Sequence, residues 1–128
     1  MKIKIKSIYD RKVEFETEYG SAIGIWKDET PPEMKEYIVE LDIRKLIKYS
    51  DINVSNIDEP RIELVSKGIL ITALLLEYDF DGCATLKLGD SLLEVETIYS
   101  PNFISMCGHY VLFLVSDIDI YDEHIFWL

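Results

Sequence analysis

Residues 83–97 read CATLKLGDSLLEVET. Apolar side chains fall at every second position, the period of a strand with one buried face, and Gly89-Asp90 between them is a dipeptide that joins antiparallel strands in a two-residue turn. With that turn, Leu88 pairs with Ser91, Leu86 with Leu93 and Ala84 with Val95, while Thr85 faces Glu94 and Cys83 faces Glu96 on the opposite surface. Turn chemistry, register and burial agree on a β-hairpin with an apolar inner and an acidic outer face.

The same period runs outward in both directions. In KIKIKS, Ile3 and Ile5 share one face and Lys2, Lys4 and Lys6 the other; in KVEFETEY, Val13, Phe15 and Tyr19 alternate with Glu14, Glu16 and Glu18. A hairpin turning near Arg11 sets Lys6 opposite Glu16 and Lys4 opposite Glu18, so the basic start is absorbed by cross-strand pairs rather than offered to nucleic acid. Thr30-Pro31-Pro32-Glu33 has the form of a helix capping box, yet Tyr37, Val39, Leu41 and Ile43 alternate with polar neighbours. That pattern reads as a strand over 36–44 with a helical turn through 45–49, against a competing helix over 33–45. A polar connection over 51–60 leads into a long strand over 61–80, bent near Gly68, and a final strand covers 110–121 after the loop signals Ser100-Pro101-Asn102 and Gly108. Six or more strands with tight turns in 128 residues imply a single mainly β domain over 1–128. Its expected form is a small antiparallel barrel or sandwich of the OB or SH3 kind, with at most one short helix.

Composition narrows the function. The chain has 13 basic and 24 acidic residues, a formal charge of −11, which repels phosphates and disfavours nucleic acid and anionic membranes as partners. The charge is uneven: residues 1–12 are net basic, whereas 77–128 hold ten acids against Lys87 alone. A basic protein is the complementary partner. No apolar window approaches a membrane span or signal peptide, so a cytoplasmic location is expected, with Cys83 and Cys107 as free thiols.

Catalytic and ligand motifs are wanting. Asp117-x-Asp119 begins like a calcium loop, but Tyr121 stands at the next ligand position and the glycine is missing. Cys83, Cys107, His109 and His124 lack paired zinc-ligand spacing, Cys107 and His109 lack an orienting third group, and GSAIG (20–24) lacks a phosphate-loop lysine. The chain is therefore expected not to be an enzyme and to hold no cofactor or metal.

Acids gather instead at strand ends. In ILITALLLEYDFD the even positions Leu70, Leu74, Leu76, Tyr78 and Phe80 are apolar, and the odd face begins apolar and ends in Glu77, Asp79 and Asp81. In YVLFLVSDIDIYD the even positions Tyr110, Leu112, Leu114, Ile118 and Ile120 are apolar, and the odd face begins with Val111, Phe113 and Val115 and ends in Asp117 and Asp119. Each strand is expected to be covered on both sides at its beginning and to present these acids to water at its end. With Glu94, Glu96, Asp122 and Glu123 these form one expected acidic partner-binding stripe, anchored by the aromatics Tyr121, Trp127 and Phe80. The Ile125–Leu128 tail is the best exposed candidate unless it tucks beneath the barrel, the reading slightly favoured.

In this make-up, an acidic single β-rich domain with the hairpin TLKLGDSLLEVET and the closing strand GHYVLFLVSDIDIYDEHI, the chain resembles small acidic immunity proteins encoded beside bacterial polymorphic or contact-dependent toxins. The resemblance implies a cognate toxin, often a basic nuclease, blocked by a tight acidic inhibitor. The alternative is a structural or adaptor barrel, monomer or homodimer, that self-associates or recruits a partner through a strand edge or the apolar odd face over 110–115, Val111, Phe113 and Val115.

Overall fold

A computed structural model describes residues 1–123. It contains eleven strands: β1 (Lys2–Tyr9), β2 (Lys12–Thr17), β3 (Gly20–Trp26), β4 (Glu36–Asp42), β5 (Ile52–Val54), β6 (Arg61–Val65), β7 (Gly68–Tyr78), β8 (Cys83–Leu88), β9 (Ser91–Glu96), β10 (Tyr110–Val115) and β11 (Asp119–Asp122). Two short 3-10 turns, Tyr49–Asp51 and Pro101–Met106, lie between the strands. The period-two reading of 36–44 thus wins over the capping box, because Val39 and Leu41 each reach the core from alternate positions.

Five strands close into a barrel. β1 pairs with β2 and β4, β2 with β3, and β11 completes the ring by running antiparallel to β4 and parallel to β3. In the first hairpin Lys4, not Lys6, stands opposite Glu16, because the turn sets Tyr9 opposite Lys12, one residue from the expected register, and a bulge between Ile5 and Ser7 shifts it by one more; Lys6 still reaches Glu16 at 3.8 Å.

The remaining strands form a second sheet. β6 and β8 lie in succession along one edge of β7 and β10 along the other: Thr72 has Arg61 and Leu112 as neighbours, Leu74 has Lys87 and Tyr110. β5 flanks β10 and β9 flanks β8. The β8–β9 register is the one read from the sequence, from Leu88 opposite Ser91 to Cys83 opposite Glu96. The sheets join where Gly20 bridges Ile62. There φ is +133°, and a Cβ on Gly20 would lie 1.9 Å from the Ile62 carbonyl oxygen, so only glycine permits the approach.

Two long strands expected from the sequence are each divided. The stretch 61–80 is a hairpin turning at Ser66-Lys67, with Val65 opposite Gly68, rather than one bent strand. The stretch 110–121 breaks at 116–118, where the chain leaves the second sheet and enters the barrel. In both places the apolar period continues across the break, so periodicity could not reveal it.

One core serves both parts. Phe15 fills the barrel, Phe113 the second sheet, and Phe103 plugs the end beneath the Pro101–Met106 turn; all three are fully buried. On β7 and β10 the inward residues are the odd ones, Ile69, Ile71, Ala73, Leu75, Val111, Phe113 and Val115. The odd face of 110–115, expected as a docking surface, is therefore core; the even positions Leu70, Leu74, Leu112 and Leu114, expected to point inward, lie on the outer face and are half-buried, and Leu76 is exposed. Both faces are apolar here, so alternation alone could not choose between them. A bulge between Leu75 and Glu77 then inverts the parity, returning Tyr78 inward to stack on Phe103 with ring centroids 4.7 Å apart.

Candidate protein-binding face

The acidic outer surface is built from three strands and one turn. Across β8 and β9, Cys83 and Thr85 stand opposite Glu96 and Glu94. The bulge in β7 sets Glu77 opposite Thr85 on the other side, so two glutamates flank one threonine across three strands. Without that extra residue Glu77 would keep the parity of the buried Leu75 and point inward.

The β7–β8 turn adds Asp79 and Asp81. It is tied down from within: the Asp79 amide donates to the Cys83 carbonyl (2.9 Å) and the Gly82 amide to the Asp79 carbonyl (3.0 Å). The Cys83 amide donates to Asp81 Oδ1 (3.1 Å). It is also tied from behind, where the Gly82 carbonyl accepts from the Thr97 amide (2.8 Å) and the Thr97 hydroxyl (2.7 Å). At the tip, Phe80 is 94% exposed. An aromatic ring held in water by a hydrogen-bonded turn needs little ordering on binding, which is the property of a preorganised anchor.

The carboxylates act together on the thiols beside them. Burial first, and then Glu94, Asp81, Asp79 and Glu96, push the Cys83 thiol above its ordinary value; burial and then Glu77 do the same to Cys107. A cleft of about 840 Å³ opens beside Cys83, lined by Asp81, Glu94 and Glu96 and, from the end of β4, by Asp42 and Arg44. No ion pair among the described residues engages Glu77, Asp79, Asp81, Glu94 or Glu96. Arg44 shares the cleft but is paired with Asp119, so the five carboxylates present a net negative potential to solvent. Asp42 and Arg44 were missed in the sequence because only the crossing of the two sheets brings the end of β4 to this hairpin.

The expected stripe is otherwise corrected. β10 is antiparallel to β7, with Val115 opposite Ile69, so the exposed Asp117 lies at the opposite end of the sheet from Asp79 and Asp81, roughly 30 Å away at about 3.3 Å per residue. Asp119 is not on a surface: it is 1% exposed, and the Arg44 Nε lies 2.8 Å from its Oδ2. Neither of its oxygens accepts a hydrogen bond among the described residues, so that contact is a charge attraction off the hydrogen-bonding direction. Tyr121 is half-buried in β11 opposite Glu40, and the Asp122 amide donates to the Asp28 carboxylate. Glu123 lines a separate cleft of about 440 Å³ with Met1, Glu40, Asp90 and Leu92. Trp127 and the tail over 125–128 lie outside the described residues.

Among the described residues no group of three or more His, Cys, Asp or Glu side chains is arranged to hold a metal ion, and no helix is long and apolar enough to cross a membrane. A thiol whose ionisation is pushed upward is a weaker nucleophile at neutral pH, which bears on both cysteines. The fold and face together define an acidic, mainly β protein made of a closed five-strand barrel and an attached sheet. No protein-family model, curated protein or solved structure matches the chain.

Proposed function

We propose that this chain is a non-enzymatic binding protein of the immunity type, which neutralises a basic, nuclease-like bacterial toxin domain in the cytoplasm by covering its cationic surface. The observation that carries the reading is the convergence of Glu77, Asp79, Asp81, Glu94 and Glu96, unpaired by any cation of the described chain, around the projecting Phe80. Carboxylates so spaced stand in for the phosphates that a nuclease surface attracts. They raise the rate of encounter, and a desolvated aromatic anchor slows departure.

The test is protection. Co-expression with the toxin domain encoded by the adjacent reading frame should restore growth, and the triple variant Asp81→Lys, Glu94→Lys, Glu96→Lys should lose protection while keeping its circular dichroism. Failure of the parent chain to protect or to bind that domain overturns the proposal; protection that survives the triple reversal rejects this face.

A further inference from the structure

The other half of the same outer surface has a different character. Leu70 and Leu74 of β7 and Tyr110, Leu112 and Leu114 of β10 sit side by side around Thr72, following the pairs Leu74–Tyr110, Thr72–Leu112 and Leu70–Leu114. Each of the five is half-buried by its neighbours, and Thr72 is 4% exposed. An antiparallel sheet with one face on the core ordinarily turns polar side chains outward; this one presents a contiguous apolar stripe, the mark of an interaction surface.

The rim says what covers it. Arg61 and Glu63 of β6 and Lys87 of β8 share the face, opposite Thr72, Leu70 and Leu74, and the Lys45 ammonium donates to the Leu114 carbonyl (3.1 Å). Glu59 accepts from Arg61. Three cations against two acids make this patch close to neutral on a chain of −11, and Lys87 is the sole Lys or Arg after residue 76. A cationic protein is drawn to the acidic end, and an anionic lipid surface is repelled by the whole molecule. A rim of both signs around an apolar centre allows opposite charges of two identical copies to face each other across a two-fold axis, as an isologous interface uses. We infer that the apolar stripe of β7 and β10 is the contact surface of a homodimer. This goes beyond toxin binding and stands independently of it.

Sedimentation velocity of the full chain at micromolar concentration tests it. The parent should sediment as a dimer, and more completely at high salt, because screening relieves the repulsion between two acidic copies. Binding to a cationic protein changes with salt in the opposite direction, so the two readings fail separately. Leu112→Lys and, independently, Lys87→Glu should sediment as monomers, while Phe80→Ala should remain dimeric. Should Leu112→Lys not fold, the exposed Lys87→Glu decides. A parent that is monomeric at every salt concentration, or dimers that persist in Lys87→Glu and in folded Leu112→Lys, would overturn the inference.

Discussion

Asp119 is held in the protein interior by an arginine that is itself 61% exposed. Removing one partner of a buried pair leaves an uncompensated charge, which typically costs about 3–5 kcal/mol; water around Arg44 screens the attraction, so the cost here falls below that range. Arg44→Met should lower stability by about 2–3 kcal/mol in urea unfolding at neutral pH, and adding Asp119→Asn should recover part of the loss. At Cys83 the sign is set by burial and by four neighbouring carboxylates, all of which disfavour the thiolate. Its alkylation by iodoacetamide should rise with a midpoint above that of a free cysteine, and Glu94→Gln with Glu96→Gln should move the midpoint down; an unmoved midpoint would separate the glutamates from the thiol. The pairing of Cys83 with Glu96 was legible in the sequence, since a two-residue turn leaves one register. The fate of Asp119 was not, because its alternation with Ile118 and Ile120 pointed it outward from an open strand, whereas β11 lies between two partners in a closed ring.

Elements were legible in proportion to how local their pairing is. The β8–β9 hairpin and the strand character of β4 follow from turn chemistry and period two. Barrel closure does not, since it depends on β11 meeting both β3 and β4, partners some 80 to 95 residues away in sequence. Parity on β7 was undecidable locally: both faces of Ile69–Leu75 are apolar, and one bulged residue determines that Glu77 rather than Tyr78 faces water. The same limit hid the junction at Gly20, whose glycine gave no signal beyond a loop. Gly20→Ala should destabilise by well over 1 kcal/mol, because the added Cβ meets the Ile62 carbonyl and the backbone conformation is one that alanine resists; a thermal melt equal to that of the parent would mean the two sheets are not joined there.

At the scale of the whole molecule, the excess acid is unevenly distributed. The amino-terminal lysines pair within the barrel, Lys2 with Glu36 and Lys6 with Glu16, while the cations nearest the second sheet surround its apolar stripe. What is left is a concentrated negative end around Phe80. Composition disclosed the excess and the hairpin register its outer glutamates; the β7–β10 register and the β7 bulge, which the sequence did not specify, separate the acidic end from the near-neutral apolar centre. The most direct measurement is the association rate with the adjacent-frame toxin domain as a function of ionic strength. The parent should associate fast at low salt, with a rate that falls steeply as salt is added, and the Asp81→Lys, Glu94→Lys, Glu96→Lys variant should be slow at low salt and lose that dependence. Equal rates and equal salt slopes for the two proteins would contradict the account.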